Sequence, residues 1–412
     1  MNPFVRDNLR PVLSGKKILL GITGSIAAFK ACDILRWLKD CGAEVKVALS
    51  DSAQRFVTPL TLETLSGHKI LTHQWGEESG TYHIDVARWA DLALIAPATA
   101  NCLAKFAHGI ADDFLSTELL AFQGPLCLAP AMNPAMYAHP ATQANVKTLR
   151  ERGCKILGPA TGITACGEEG PGRMLEPDEI IGQVAQAFFT KPNGKKFLIT
   201  LGPTQSAIDP VRVITNRSSG RMGASLAWAA ASHGYEVIVV AGPTDVPLPS
   251  CAQVHRVKTA AEMADQALSA WPSVDVFASV AAVLDWNVKN PAPLKLKKEE
   301  GAPRLEFEKN IDILAAAGKK KRPGQFILGF AAETESDRKA LVDLAHGKLG
   351  AKNCDALFIN DVSGKEGFES QTNAGFWVSP SEIVELTSCP KPELAEKLLA
   401  LIEKNGNHSK PS

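Results

Sequence analysis

A short pattern occurs twice in this chain and limits the folds that it can adopt. Two lysines, a short apolar run and a turn rich in glycine and threonine follow one another at 16–24 and again at 195–204. Such a run is typical of the first buried strand of an α/β domain, with the turn at the carboxyl end of the strand. The stretch Thr-Lys-Pro-Asn-Gly at 190–194 has the composition of a linker. We therefore expect the 412 residues to form two α/β domains, 1–190 and 191–412.

Further apolar runs extend this pattern through both halves. In the first half, strands are predicted at 18–20, 44–49, 92–96 and 126–129, with a helix at 25–41. In the second half, strands are predicted at 197–200, 236–240, 274–279, 326–330 and 356–360, with helices at 223–233 and 333–352. Strands that alternate with helices predict a doubly wound, Rossmann-like parallel sheet in each domain. The stretch 288–303, rich in proline and lysine, is expected to be a mobile loop, and 405–412 a frayed tail.

Composition excludes several classes of protein. The 44 Lys and Arg residues balance 44 Asp and Glu residues, which argues against non-specific binding to nucleic acid or to an anionic membrane. No apolar run reaches the roughly 18 residues of a membrane helix, and residues 1–14 show no targeting signal. The nine cysteines form no CxxC pair, which favours reduced thiols. A cytoplasmic enzyme with small-molecule partners is the expectation.

Three turns of the first half follow predicted strands and contain small or hydroxyl residues. They include Gly24 and Ser25, then Ser50, and then the Ala98–Asn101 turn with Thr99. Since ligands of open α/β sheets bind at the carboxyl ends of strands, three such turns favour a phosphorylated cofactor. Taken alone, the composition of the Gly21–Ser25 segment is explained equally well by an ordinary tight turn between a strand and a helix, without a ligand.

Three further residues of the first half are candidates for chemistry. His83, Asn133 and Cys166 each have an ordinary structural explanation when taken singly. Cys166 differs in its setting, because glycines and prolines crowd the surrounding segment 165–174. That composition predicts a flexible flap that could bring a thiol to a substrate.

Together these features resemble a known family. Gly-Ser-Ile-Ala-Ala at 24–28, His83, Pro-Ala-Met-Asn-x-x-Met at 130–136 and the Ala-Cys-Gly…Gly-Arg-Met segment at 165–174 occur in this order. The combination resembles the phosphopantothenoylcysteine decarboxylase family, a branch of the flavin-dependent cysteine decarboxylases. The resemblance implies a flavodoxin-like flavoprotein fold with FMN, held by Gly24, Ser25, Ser50 and the Ala98–Asn101 turn. It also implies that His83 handles protons, Asn133 grips the carboxylate and Cys166 protonates an ene-thiol after FMN has oxidised the substrate thiol.

In the second half, the string Asn-x-Ser-Ser-Gly-x-Met-Gly at 216–223 opens a predicted helix. Ser218, Ser219 and Gly220 could cradle a phosphate there, although an ordinary capped helix start has similar composition. The lysine cluster at 293–298 could be a solvated charge run or a lid beside a triphosphate.

This half resembles phosphopantothenate–cysteine ligase of the bacterial kind, and both halves in this order resemble the bifunctional coenzyme A biosynthesis proteins. The matching segments are Gly-Pro-Thr at 202–204, Asp-Pro-Val-Arg at 209–212, 216–223, 281–298, 309–313, 329–334 and 360–362. Three positions depart from the common pattern: Gln205 with Ser206, Leu284, and Ile311 in place of a proline. Of these, Gln205 puts one charged contact near the ligase site in doubt.

The resemblance implies that the second domain joins cysteine to 4′-phosphopantothenate through an acyl-cytidylate made from CTP, with Mg²⁺ on the triphosphate. Asn216 would contact the acyl intermediate and Lys295 would stabilise charge at the reacting phosphate. The implied nucleotide site consists of Ser279, Val280, Ala281, Asp285, Asn310, Ile311, Asp312, Ile313, Phe330, Lys348 and Lys352. Lys348 and Lys352 lie four apart on a predicted helix and therefore share a face. A homo-oligomer is implied too: trimers of the first domain and dimers of the second, which could combine into a dodecamer.

Two other classes of function remain to be weighed. A non-catalytic flavoprotein that regulates a partner would be expected to lack one of His83, Asn133 and Cys166, and all three are present. A nicotinamide-dependent oxidoreductase would be expected to carry GxGxxG and an acidic residue about 20 positions on, and neither first strand is followed by that pattern.

Overall fold

The long apolar runs of the chain form the central strands of two separate sheets. The computed structural model describes residues 2–72, 82–297, 303–335, 337–361 and 370–406. It divides into two units, Met1–Phe188 and Phe189–Ser412. Within the described residues, every helix is too short or too polar to span a lipid bilayer.

The first unit is built on a five-stranded parallel sheet. Its strands are β1 (Lys17–Ile22), β2 (Glu44–Leu49), β3 (Leu92–Ala98), β4 (Leu126–Pro130) and β5 (Lys155–Ile156). The strand order is β2-β1-β3-β4-β5, and every pair is parallel. This is the flavodoxin-like order, which confirms the predicted fold class, and its direction reverses between β1 and β3. Ligands of such sheets bind at that point, beyond the carboxyl ends of the strands.

Nine helices and one hairpin surround this sheet in the described part of the unit. The helices are α1 (Pro3–Leu13), α2 (Phe29–Asp40), α3 (Pro59–Ser66), α4 (Tyr82–Trp89), α5 (Ala100–His108), α6 (Phe114–Ala121), α7 (Pro134–Ala138), α8 (Pro140–Glu151) and α9 (Pro177–Ala185), with 3-10 turns at Ile26–Ala28, Ala53–Arg55 and Gln186–Phe188. The hairpin pairs β6 (Ala160–Ile163) with β7 (Glu169–Arg173).

Only one of these helices was predicted with bounds, and its start differs from the prediction. The helix predicted at 25–41 begins as the 3-10 turn, because the Ser25 side chain accepts from the N–H of Ala27, and only then continues as α2. Helix α1 was not predicted, because prolines at positions 3 and 11 obscure it. Its buried Val5, Leu9 and Leu13 follow a four-residue spacing, which is the signal that could have revealed it.

The second unit contains an eight-stranded sheet. Its strands and those of two short hairpins are β8 (Lys196–Leu201), β9 (Gln205–Ala207), β10 (Val213–Thr215), β11 (Glu236–Ala241), β12 (Gln253–Arg256), β13 (Val276–Ser279), β14 (Trp286–Val288), β15 (Phe307–Lys309), β16 (Phe326–Glu333), β17 (Ala356–Asp361), β18 (Thr372–Val378) and β19 (Ile383–Pro390). The order is β12-β11-β8-β13-β16-β17-β18-β19. The first six strands are parallel in the order of a dinucleotide-binding fold, and the direction of the order reverses between β8 and β13.

The helices of this unit pack on both faces of that sheet. They are α10 (Arg221–Ser232), α11 (Ala260–Ala270), α12 (Ile313–Lys319), α13 (Arg338–Lys352) and α14 (Lys391–Gly406), with a 3-10 turn at Trp271–Ser273. Helix α10 is buried from Met222 to Ala231, because its alanines and glycine allow close packing against the sheet and α14.

The second unit departs from the predicted pattern at four places. Strands β18 and β19 extend the parallel sheet in antiparallel pairing. The helix predicted from 333 begins at Arg338, because β16 continues to Glu333, whose partner in β17 is Asp361. Val288, placed in the predicted loop, is buried and pairs with Phe307. The predicted tail is helical to Gly406, and residues 298–302 and 407–412 lie outside the described residues.

Candidate functional site

An open cleft of about 560 Å³ lies at the carboxyl ends of β1, β2 and β3 in the first unit. Its lining includes Gly24, Ser25, Ser50, Thr99 and Asn101, which the sequence predicts for the cofactor. Ala98, predicted with them, is buried in β3 and does not line the cleft; its carbonyl accepts from the N–H of Ala131 at 3.0 Å.

Hydrogen bonds between neighbouring turns hold the floor of this cleft. The Thr23 hydroxyl donates to the Pro97 carbonyl at 2.7 Å and accepts from the Thr99 N–H at 3.1 Å. The turn after β1 is thereby fixed to the turn after β3. Gly24 is required for a steric reason, since a Cβ there would lie 2.5 Å from the Cβ of Ser52. The turn after β1 therefore packs directly against Ser52.

The cleft also contains a polar atom that the protein leaves unsatisfied. The Ser50 hydroxyl is buried and has no hydrogen-bond partner. A buried hydroxyl without a partner costs about 1–3 kcal/mol, so a ligand group that pairs with it is favoured. Next to it, Thr99 caps α5 by accepting from the Cys102 N–H, and the start of a helix favours a phosphate. These residues fit a phosphorylated cofactor.

One charged cluster in this cleft was not predicted from the sequence. Lys105 forms ion pairs with Asp112 at 2.6 Å and with Asp113 at 2.7 Å. Burial opposes ionisation of Asp113, but hydrogen bonds from Lys105 and Ser116 outweigh it and hold the pKa of that carboxyl below its usual value. The signal available in the sequence was the Asp-x-x-Ser spacing of a capping box at 113–116, which opens α6.

Of the three catalytic residues predicted for the first unit, Cys166 lies in the β6–β7 hairpin and Asn133 contacts it. The Asn133 amide donates to Glu168 at 3.1 Å, while its oxygen accepts from the Met136 N–H at 2.8 Å and caps α7. Cys166 is exposed in the turn of the hairpin, with its Sγ 3.1 Å from the Thr164 hydroxyl. The segment predicted as a flap is this hairpin.

A close backbone approach fixes the hairpin against the Asn133 segment. The Met132 N–H donates to the Gly172 carbonyl at 3.0 Å, and a Cβ on Gly172 would lie 2.4 Å from the Met132 carbonyl oxygen. Met132 and Met136 line the cleft, so the hairpin is joined to its rim. Among the contacts of the described residues, none connects His83, half-buried at the start of α4, with Asn133 or Cys166. The role of His83 stays a prediction.

A second cleft, of about 500 Å³, lies at the carboxyl ends of β8, β13, β16 and β17 in the second unit. All but one of the residues predicted for this unit line it: Asn216, Ser218, Ser219, Gly220, Ser279, Val280, Ala281, Asp285, Asn310, Ile311, Asp312, Ile313, Phe330, Lys348 and Lys352. The exception is Lys295, which is exposed on the loop after β14 and does not line the cleft.

Small residues bring the start of α10 close to this cleft. Gly220 has φ +76° at the N-terminal cap, and a Cβ there would lie 3.0 Å from the Thr244 hydroxyl. A Cβ on Gly223 would lie 2.5 Å from the Cβ of Leu201 in β8. The cap makes no side-chain hydrogen bond to the first turn. The start of the helix therefore presents partial positive charge to the cleft and favours an anion.

The loop after β13 is held by side chains from three other segments. The Asn216 amide donates to the carbonyls of Ala282 and Val283, each at 3.2 Å. The Thr204 hydroxyl accepts from the Leu284 N–H at 2.9 Å, and the Asn310 amide donates to the Leu284 carbonyl at 2.9 Å. These bonds fix the loop that carries Asp285.

Two lysines on α13 form the opposite wall. Lys348 pairs with Glu333 at the end of β16, and Lys352 pairs with Asp312 at 3.3 Å. Asp312 also caps α12 by accepting from the Ala315 N–H. The predicted common face of Lys348 and Lys352 is therefore directed at the cleft.

The three departures from the family pattern have different surroundings. Gln205 begins β9 outside the lining of the cleft, and its N–H donates to the Lys258 carbonyl at 2.8 Å. Leu284 is buried and contributes backbone groups to the fixed loop. Ile311 lines the cleft with an exposed side chain.

Five polar residues of this cleft had no predicted site role: Arg221, Lys309, Asn360, Asn373 and Lys391. The first three lie within segments that match the family pattern, whereas Asn373 and Lys391 do not. Asn360 is the last residue of a predicted strand, and its position at the carboxyl end of that strand was its signal. Asn373 and Lys391 belong to β18 and α14, which were not predicted, so their approach to the cleft had no local signal in the sequence.

Comparisons with known proteins agree with both halves of this description. Residues 192–405 match the family described as DNA/pantothenate metabolism flavoprotein C-terminal domain, and residues 8–189 match the family described as Flavoprotein. The coenzyme A biosynthesis bifunctional protein of Vibrio vulnificus is 43% identical over 399 residues, covering 95% of this chain and 98% of that protein. That of Bacillus subtilis is 42% identical over 371 residues, covering 88% and 90%.

Among solved structures, the C-terminal domain of a coenzyme A biosynthesis bifunctional protein is 34% identical, with a TM-score of 0.44, and covers 52% of this chain and 96% of that domain. The relatives of full length confirm the family inferred from the motifs. The chain belongs to the family of coenzyme A biosynthesis bifunctional proteins.

Proposed function

We propose that the second unit joins cysteine to 4′-phosphopantothenate with CTP, and that the first unit decarboxylates the resulting 4′-phosphopantothenoylcysteine to 4′-phosphopantetheine with FMN. Membership of the family supports this proposal. The observation that carries it is the second cleft, where the start of α10, the two α13 lysines and a fixed loop converge at the point where the strand order reverses.

The ligase reaction proceeds in two steps. A carboxylate oxygen of 4′-phosphopantothenate attacks the α-phosphorus of CTP, and pyrophosphate leaves. The cysteine amine then attacks the acyl carbon, an amide forms and CMP leaves. The start of α10 with Ser218, Ser219 and Gly220 binds phosphate oxygens, and Lys348 and Lys352 bind the nucleotide. Asn216 contacts the acyl group from a position that its bonds to two carbonyls keep fixed.

Lys295 acts from the loop outside the cleft. The next residue is anchored, because the Leu296 N–H donates to Asp209 at 3.2 Å and its carbonyl accepts from Arg212 at 2.6 Å. Burial disfavours the charged form of Asp209, but three backbone N–H groups outweigh it and lower the pKa of the carboxyl. Lys295 therefore extends from a fixed point, and we propose that it reaches the phosphate that reacts.

In the first unit, Gly24, Ser25, Ser50, Thr99 and Asn101 would hold FMN, and the unsatisfied Ser50 hydroxyl is the atom that most favours such a ligand. Oxidation of the substrate thiol is the chemistry that FMN supplies when bound. Asn133 would exchange its bond to Glu168 for one to the substrate carboxylate. His83 would move a proton, and the Cys166 thiol would donate one to the ene-thiol left by loss of CO₂.

We also propose a metal ion, a compartment and an oligomeric state for these reactions. Mg²⁺ accompanies the CTP phosphates, and we assign it no protein ligand, since the described residues hold no cluster of three or more His, Cys, Asp or Glu side chains arranged for a metal. The protein acts in the cytoplasm, where its nine free cysteines would stay reduced. It forms trimers through the first unit and dimers through the second.

An absorbance spectrum and two product assays on the purified full-length chain test this proposal. We expect flavin absorbance, release of pyrophosphate that requires both CTP and 4′-phosphopantothenate, and release of CO₂ from synthetic 4′-phosphopantothenoylcysteine without CTP. A colourless protein that uses a nicotinamide cofactor, or a flavoprotein without either activity, would contradict the proposal.

A further inference from the structure

The lysine-bearing loop after β14 is held by one other segment of the second unit. This segment, 206–212, runs from β9 to the start of β10. Where the loop leaves β14, the Ser206 hydroxyl accepts from the Val288 N–H at 2.7 Å. Further along the loop, the Ala292 N–H donates to the Ile208 carbonyl at 2.9 Å. The first part of the loop is thus fixed before the chain reaches its lysines.

Asp209 makes the last of these contacts, and its two carboxylate oxygens have different partners. Oδ1 accepts from the backbone N–H groups of Val211 and Arg212, each at 2.8 Å, and closes the turn before β10. Oδ2 accepts from the Leu296 N–H at 3.2 Å and lies 3.6 Å from Nε of Arg212. Arg212 in turn donates to the Leu296 carbonyl at 2.6 Å. Leu296 is therefore held through both of its backbone polar groups.

Burial makes the contact between Asp209 and the loop matter for both partners. The Asp209 side chain has no exposed surface, whereas that of Arg212 is 41% exposed. Among the described residues, the Leu296 N–H is the one hydrogen-bond donor to Oδ2. Movement of Leu296 would therefore leave a buried carboxylate oxygen without a hydrogen bond, which is unfavourable. The buried carboxylate thus favours one position of the residue that follows Lys295.

We propose that Asp209 is a positioning residue for the ligase reaction, which fixes Leu296 and thereby holds the neighbouring Lys295 where it meets the reacting phosphate. The inference rests on the proposed function, since it is the ligase reaction that gives Lys295 a phosphate to act on. A lysine on an unfixed backbone would lose more conformational entropy on reaching that phosphate. Contact with Asp209 restricts the backbone before the substrates bind, so less of this cost falls on the reaction.

Asp209→Asn separates the two roles of the carboxylate. The amide oxygen of asparagine can still accept from the N–H groups of Val211 and Arg212, so the turn is retained. The NH₂ group then faces the Leu296 N–H, and two donors form no hydrogen bond. The variant therefore releases the loop and keeps the turn.

Hydrogen–deuterium exchange of the full-length protein tests this contact without any activity. Peptides that contain Leu296 should exchange faster in Asp209→Asn than in wild type. Asp275→Asn is the matched control, because the Asp275 carboxylate also accepts from a backbone N–H of a distant segment, that of Lys196 at 2.7 Å, and lies outside the cleft lining. In this control the peptides that contain Leu296 should exchange as in wild type.

Pyrophosphate release with CTP and 4′-phosphopantothenate tests the role in the reaction. Asp209→Asn should lower the rate of acyl-cytidylate formation about 10- to 100-fold, because a displacement of about 1 Å in a site can cost about 100-fold. The KM for CTP should change little, and Asp275→Asn should stay near wild type. In a Lys295→Gln background, Asp209→Asn should change the rate by less than about twofold, because no lysine is left to position.

Four results would overturn the assignment. They are an unchanged rate in Asp209→Asn, unchanged exchange of the peptides that contain Leu296, an equal loss of rate with and without Lys295, and a normal rate in Lys295→Gln. The third would make Asp209 structural. If Asp209→Asn does not fold, Arg212→Met replaces it, because this variant removes the bond to the Leu296 carbonyl, and the same outcomes decide.

Failure of the proposed function has a different signature. Wild-type protein that releases no pyrophosphate would contradict the ligase reaction itself. The exchange experiment would then still show whether Asp209 holds Leu296, because it needs neither substrate nor turnover.

Discussion

The two clefts occupy equivalent places in their sheets but satisfy their polar groups differently. In the first cleft, Thr23 and Thr99 bond to each other's segments, and Lys105 pairs with two aspartates. In the second, Arg221 and Lys391 lie without carboxylate partners among the described residues. Within the described part of the chain, the first cleft keeps one unsatisfied hydroxyl, that of Ser50, whereas the second cleft keeps cations without a carboxylate partner. The same position in an α/β sheet thus carries two different arrangements of polar groups.

The largest expected effects come from one glycine in each unit. Gly24→Val would force a Cβ to within 2.5 Å of Ser52, and Gly223→Val would force one to within 2.5 Å of Leu201. Because a displacement of about 1 Å in a site can cost about 100-fold in rate, each variant should lose one activity by at least that factor. Gly24→Val should lose flavin and CO₂ release only, and Gly223→Val should lose pyrophosphate release only. Loss of both activities in either variant would break the comparison.

The next effect concerns the loop beside the second cleft. Lys295→Gln should lower the rate of acyl-cytidylate formation about 10²- to 10³-fold, as is typical when a contact to developing charge is lost. Binding of CTP, measured by calorimetry, should change little, because Lys295 lies outside the cleft lining. Lys297→Gln, also exposed on this loop, is the control and should stay near wild type. Equal rates for the two variants would remove Lys295 from the mechanism.

The smallest expected effect concerns the buried carboxyl group of Glu118 in the first unit. Glu118 on α6 is fully buried, and neither of its carboxyl oxygens has a hydrogen-bond partner, but it does not line the cleft. Burial raises its pKa to about 8. Above about pH 4.3 the unfolded state releases this proton, whereas the folded state keeps it. The free energy of unfolding therefore falls as pH rises toward 8, by about 1.4 kcal/mol per pH unit.

Glu118→Gln removes this titration. Scanning calorimetry of the full-length protein should show similar melting of the first unit for variant and wild type near pH 5. The variant should become progressively more stable than wild type up to pH 8. Both enzymatic activities should remain. A difference in melting temperature that does not depend on pH would show that Glu118 is ionised in the fold. Lost activity would place Glu118 among the functional residues, although it lies outside the cleft lining.

The sequence predicted the central strands of both sheets to within a few residues. Runs such as Leu92–Ala98 are buried along their whole length, so each consists of apolar residues without interruption. The turns after these strands carry most of the predicted site residues, because parallel strands place their carboxyl ends at one edge. The position of Gly24 could therefore be predicted from local pattern, whereas Asn216 and Lys348 were predicted from the resemblance to the family.

The remaining features depend on contacts between distant segments. Strand β18 contains Gly375. A Cβ at this position would lie 2.3 Å from the Ile359 carbonyl oxygen, so glycine is needed there for the close approach of β18 to β17 and not for its strand propensity. Lys391 reaches the cleft only because β18 and β19 pair in antiparallel fashion and return the chain to α14. Tertiary pairing of this kind has no signature in a short window of sequence.

The central claim is that one chain performs two successive reactions at two separate clefts. The most direct test incubates the full-length protein with 4′-phosphopantothenate, CTP and cysteine labelled at its carboxyl carbon, and follows pyrophosphate and labelled CO₂ in the same reaction. We expect one CO₂ for each pyrophosphate, with CO₂ lagging behind and absent without CTP. Gly24→Val should release pyrophosphate without CO₂. Labelled CO₂ that appears without CTP, or pyrophosphate release by flavin-loaded wild type without CO₂, would contradict the account.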